Sequence, residues 1–153
     1  MTPADGAGTE LEVLSEETCL QLLGDNTLGR LAFAIAGQPE IFPVNYALYG
    51  DVIMLQTAPG TKLRHAPHRR VAFEIDGLDQ AAGRAWSVVV KGLAEEITTR
   101  IDPFSQARRA IAVDTWAPGE RRHRLAIYPA HISGRRFPYQ GASKTLAETK
   151  PIS

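Results

Sequence analysis

The segment from Gln38 to Lys62 constrains the fold more than any other part of the chain. It contains two runs of strand-like residues, Glu40 to Tyr49 and Val52 to Thr57, joined by Gly50-Asp51. A turn that short forces the two runs to lie antiparallel in one sheet. In the first run Phe42, Val44, Tyr46 and Leu48 share one face, and Ile41, Pro43, Asn45 and Ala47 the other. Pro43 has no N–H to donate, so this strand is expected at an edge or interrupted there. The second run leads into a loop with Thr57, Pro59, Gly60, Thr61 and Lys62. Hydroxyls, free backbone amides and a cation at a strand end are the groups that a buried phosphate requires.

The rest of the chain extends the same pattern. Ser15 is placed to cap a short helix with Glu16 and Glu17 in its first turn, and Gly24 is expected to end it. A strand then runs from Leu28 to Gly37, and another carries Val71, Phe73 and Ile75. Trp86 to Thr98 forms a long fifth strand in which Gly92 predicts a bulge or bend. Asp102-Pro103 opens a helix to about Ala112, and a last strand lies near His123 to Ser133. Six strands with two peripheral short helices predict a small closed or nearly closed β-barrel. Residues 1–12 are expected to be a disordered tail, 13–137 the folded domain, and 138–153 a flexible C-terminal tail.

Composition narrows the function. A chain of 153 residues holds one domain with a real core. Lys plus Arg equals Asp plus Glu at 17 each, so no global basic field exists to hold nucleic acid or an acidic membrane. Cys19 is the sole cysteine, which excludes an internal disulfide. The first residues lack a basic region followed by an apolar one, and no apolar run approaches the ~20 residues of a membrane helix. A cytoplasmic protein is expected.

Five motifs occur in order along the chain: G-R-L-A-F from Gly29, P-V-N-Y from Pro43, T-x-x-G-T-K-L from Thr57 to Leu63, V-A-F-E-I-D from Val71, and W-S-V-V-V-K-G from Trp86. Together they resemble the pyridoxamine 5′-phosphate oxidase-like flavin-binding family, over roughly Leu14 to Phe137. The resemblance implies a six-stranded split β-barrel that forms a homodimer, with FMN held in clefts between the subunits. It also implies an oxidoreductase that moves hydride between a reduced nicotinamide, NADH or NADPH, and a small acceptor. Members that make pyridoxal phosphate carry an Arg-Lys pair where this chain has Thr61-Lys62, and a C-terminal extension beyond the position of Arg135-Arg136-Phe137-Pro138. Vitamin B6 oxidation is therefore not expected. The closer likeness is to short actinobacterial-type members that use FMN or a deazaflavin. A flavin- or haem-binding module without catalysis is a further alternative.

Lys62, with the hydroxyls of Thr57 and Thr61 and the amide of Gly60, is the expected phosphate grip, with Leu63 closing the motif. Taken without its neighbours, Lys62 also fits an ordinary solvated lysine. Asn45 is polar where its flanks are apolar, so it or the backbone of Pro43 and Val44 is expected at the polar edge of the flavin ring. Trp86 and Ser87 start the fifth strand and could wall the cofactor cleft, although core or interface packing is the commoner role for such a Trp. The pairs Arg108-Arg109, Arg121-Arg122 and Arg135-Arg136 leave room for a basic rim around that cleft. His65 and His68 with distant His123, His131 and Cys19 make a poor metal set, and no spacing suggests a catalytic triad.

Overall fold

Within the β-hairpin that opens the barrel, Ala36 and Gly37 both take positive φ, 49° and 79°, as a tight two-residue turn demands. That turn joins β2 (Leu28–Ile35) to β3 (Gln38–Tyr49), and a turn with Gly50 at φ 63° joins β3 to β4 (Val52–Thr57). The computed structural model describes residues 10–58, 60, 64–113, 115–116 and 123–139. The remaining strands are β1 (Glu12–Val13), β5 (Arg69–Asp79), β6 (Arg84–Glu96) and β7 (His123–Pro138). Two helices, α1 (Glu16–Asp25) and α2 (Pro103–Arg109), accompany them.

All strand pairings are antiparallel, and the order β7-β4-β3-β2-β5-β6 returns to β7 through a long β6–β7 ladder. Six strands thus close a ring, as the strand pattern predicts. The two-residue β1, which the sequence pattern does not reveal, pairs with the far end of β7. Glu12 on β1 forms ion pairs with Arg84 at 3.4 Å and Arg136 at 3.6 Å, and Leu14 just after it is buried in the core with its N–H on the Gly134 carbonyl. The β-structure runs from Glu12 at one end to Pro138 at the other. The Tyr139 N–H donates to the Gly83 carbonyl at 2.6 Å. The expected tails over residues 1–9 and 140–153 lie outside the described residues.

Alternation fills the barrel. Leu31, Phe73, Ile75, Val88, Val90, Ile53, Leu55, Leu125 and Ile127 are fully or almost fully buried in one cluster. The four-residue apolar run of β4 has a second cause. Val52 and Met54 point out of the barrel onto Ile97, Val113 and Ala126, so both faces of this strand are covered.

Gly92 does mark a bulge. The β6–β7 register shifts between Lys91 and Gly92, and the extra residue is Ala130 on β7, because Lys91 faces His131 while Gly92 faces Pro129. A Cβ at Gly92 would lie 2.1 Å from the Tyr128 carbonyl oxygen, so only glycine fits this approach.

The helices differ from expectation at their ends. Ser15 caps α1 by accepting the Thr18 N–H at 3.1 Å, but the helix continues past Gly24 to Asp25. Two side chains close it: Asn26 donates to the Leu22 carbonyl at 2.7 Å, and the Tyr46 hydroxyl to Leu23 at 2.6 Å. Asp102 caps α2 through the Ser105 N–H at 2.9 Å, and that helix stops at Arg109, short of Ala112. No helix among the described residues is long and apolar enough to cross a membrane.

Candidate functional site

β3 changes partners partway along its length, and this creates the candidate site. Residues Gln38 to Asn45 pair with β2, whereas Tyr46 to Tyr49 pair with β4. Beyond Leu55, β4 leaves β3 and runs against β7, where Thr57 faces His123. Among the described residues nothing pairs with the β4-side edge of β3 from Gln38 to Asn45. The Tyr46 N–H donates to the Thr27 carbonyl at 2.9 Å, which sets the phase of the ladder. Alternation then turns the backbone groups of Ile41, Pro43 and Asn45 toward the open side. Pro43 occupies a phase where its missing N–H breaks no β2–β3 bond. The open edge therefore presents carbonyl acceptors at Ile41, Pro43 and Asn45 and N–H donors at Ile41 and Asn45.

The outward side chains beside this edge form a row across the sheet with a charged pair at its centre. Pro43 registers with Arg30, Arg30 with Glu74, and Glu74 with Val89. Arg30 reaches both carboxylates of β5, at 3.0 Å to Glu74 and 3.3 Å to Asp76. Burial pushes the Glu74 carboxyl above the usual range, the neighbouring Asp76 adds to this, and Arg30 opposes it. A cleft of about 310 Å³ lies on the same face, lined by Asp25, Asn26, Thr27, Leu28, Arg30, Asp76 and Trp116. Trp116 is 69% exposed and Leu28 44%, a large apolar area left open beside charged groups.

Asn45 organises the junction of edge and cleft. Its Nδ2 donates to the Thr27 carbonyl at 3.3 Å, and its Oδ1 accepts the Trp116 N–H at 2.9 Å. The side chain is thus engaged in holding Trp116 and the entry to β2, and the polar groups Asn45 turns to the open edge are those of its backbone. Val44 is buried in the barrel interior and Pro43 is exposed on the outer face.

The other expected residues separate. Thr57 is buried, and its hydroxyl donates to the Ala58 carbonyl at 3.1 Å. The Gly60 carbonyl accepts the Arg64 N–H at 2.9 Å. Thr61, Lys62 and Leu63 lie outside the described residues, as do Arg121 and Arg122. Trp86 packs into the core rather than onto the outer face, its ring occupying the space that a Cβ at Gly77 would fill, 2.4 Å away. Ser87 does take the outward phase, opposite Asp76, but stands three strand spacings from β3, about 14 Å.

Three of the arginines expected at a basic rim have partners of their own. Arg108 stacks on Phe104 and Tyr128, Arg109 donates to the carbonyls of Ile97 and Arg100, and Arg136 pairs with Glu12. Arg30 and Trp116 were missed by sequence reading. Arg30 had a usable signal, a charge in the outward phase of an apolar strand. Among the described residues no three His, Cys, Asp or Glu side chains are grouped to hold a metal ion.

Known proteins share this architecture. Residues 15–136 match the family described as pyridoxamine 5′-phosphate oxidase. An uncharacterized protein of Mycobacterium tuberculosis is 31% identical over 134 residues, covering 84% of this chain and 86% of that protein. The solved FAD binding protein from Mycobacterium smegmatis is 31% identical, with TM-score 0.69, over 84% of this chain and all of the other. A FAD-binding protein from Mesorhizobium loti is 29% identical with TM-score 0.66, over 84% of this chain and 98% of the other. With the closed six-strand ring and a match over most of its length, the chain belongs to the pyridoxamine 5′-phosphate oxidase-like family of split barrels.

Proposed function

We propose that this protein is a flavin-dependent oxidoreductase whose flavin ring lies against the open edge of β3. The observation that carries this reading is the edge itself: alternating N–H and C=O groups at Ile41, Pro43 and Asn45 beside exposed Trp116 and Leu28. A flat heteroaromatic ring with a polar rim needs both kinds of surface. When bound, the flavin supplies hydride transfer between a reduced nicotinamide and a small acceptor. The chain's part is to bind and orient. The edge amides fix the ring's polar rim, Asn45 holds Trp116 beside it, and Arg30 forms a charged wall with Glu74 and Asp76.

A second copy of the chain completes the site in this reading. Ser87 faces outward yet is too far from Pro43 to share one ligand contact within the same barrel, and a twofold partner supplies such residues from outside. The sequence reading favours FMN, with Lys62 on its phosphate. The descriptions of the two solved relatives near 30% identity favour FAD.

The test is to purify the protein, release any ligand by denaturation and identify it by mass. Titrations with FMN, FAD and a deazaflavin follow, and then turnover with NADH or NADPH and a quinone or nitro acceptor. Flavin binding with turnover supports the proposal. Binding without turnover reduces it to a cofactor-carrying module, tighter deazaflavin binding replaces the cofactor, and binding of none of the three overturns it.

A further inference from the structure

A second hollow lies on the outer face at the N-terminal end of β5, next to the Arg30 row that crosses β5 at Glu74. It is a trough of about 580 Å³ whose walls and floor include Arg70, Ala72, Lys91, Gly92, Leu93 and the bulged Ala130. Arg70 pairs across the strands with Leu93, and Ala72 with Lys91. All four side chains take the outward phase, so two cations stand diagonally across a small apolar floor. Leu93 is 38% exposed there.

The two cations are uncompensated. Arg30, Arg84, Arg100 and Arg136 each have a carboxylate partner, but among the described residues Arg70 and Lys91 have neither an ion pair nor a side-chain hydrogen bond. Two adjacent cations without partners over apolar surface suit an anion with an apolar body. The volume falls in the range of sites for small organic ligands rather than for a lone ion. Ala72 registers with Ala32 on β2, which registers with Ile41 on β3, so the trough shares the outer face with the open edge two strand spacings away.

We infer that this trough binds the adenosine diphosphate moiety of a dinucleotide, with the diphosphate between Arg70 and Lys91 and the purine on Ala72 and Leu93. The moiety has two possible sources, a flavin dinucleotide or the nicotinamide dinucleotide that reduces the flavin. The inference rests on the proposed function in naming the half of a nucleotide that the β3 edge does not hold.

The experiment titrates the full-length protein with ADP and compares it with the Arg70→Ala/Lys91→Ala double variant. Removing two charge-assisted contacts is expected to weaken ADP by at least about tenfold while FMN affinity stays the same. Arg70→Lys should restore part of the loss seen in Arg70→Ala, which a folding defect would not. If FAD weakens in parallel with ADP, the source is the flavin. If FAD is unchanged and the KM for NADH or NADPH rises, the source is the hydride donor. Failure of the wild-type protein to bind ADP, or equal binding by the double variant, overturns the inference. ADP binding without FMN or FAD binding would sink the flavin reading alone, and FMN binding without ADP binding would sink the trough alone.

Discussion

Asn45 illustrates how a residue's role is set by its hydrogen bonds. Its polarity within an apolar strand suggests a ligand contact, yet its amide is spent on Thr27 and Trp116. The groups left for a ligand are on the backbone, and no residue code reports which way a backbone N–H points. Gly92 was legible because a glycine in a long strand has few explanations, and the close approach of Tyr128 is one of them. Gly92→Ala would drive a methyl group into backbone that cannot rotate away. A loss of about 3 kcal/mol is expected by chemical denaturation, the upper end for overpacking. Glu74 yields a pH prediction with a definite sign. Burial raises its folded-state pKa above the unfolded value, so the folded state takes up the proton more readily. Its contribution is fully present below the ordinary carboxylate pKa and is lost as pH rises through the elevated folded value. Glu74→Gln cannot ionise, so the stability of the wild type relative to this variant should fall across that window. A difference that stayed flat with pH in paired melting curves would show that Glu74 is not strained by burial.

Elements were legible where pattern alone decides them. Strands β2 to β6 follow from alternation, and the tight turns from Gly37 and Gly50. Helix ends and β1 were not, because long-range partners decide them. The C-terminus of α1 is fixed by Tyr46, a residue on β3 whose hydroxyl is buried against the Leu23 carbonyl and whose ring meets Phe73 edge-on. Burial raises the Tyr46 pKa, so it stays a donor throughout the working pH range. Tyr46→Phe keeps the ring and removes one bond to a helix-end carbonyl. About 1–2 kcal/mol of stability should go, with faster amide exchange confined first to the last turn of α1. Unchanged stability would mean that Asn26 and water suffice to close the helix.

The barrel as a whole places an open strand edge where a closed sheet would leave none. β3 is shared between two neighbours in succession, and the handover at Asn45–Tyr46 exposes the first half of the strand on one side. Pro43 announced this edge in the sequence. The path of β4 toward β7 after Leu55 did not, since it depends on a pairing between segments far apart in the chain. The central claim concerns what occupies that edge, and backbone amide NMR tests it directly. On titration with FMN or FAD, the amides of Ile41 and Asn45 should shift and gain exchange protection. Those of Phe42 and Val44, already bonded to β2, should change little. Strong perturbation of Phe42 and Val44 with Ile41 and Asn45 silent, or a flavin response confined to another part of the barrel, would contradict the account.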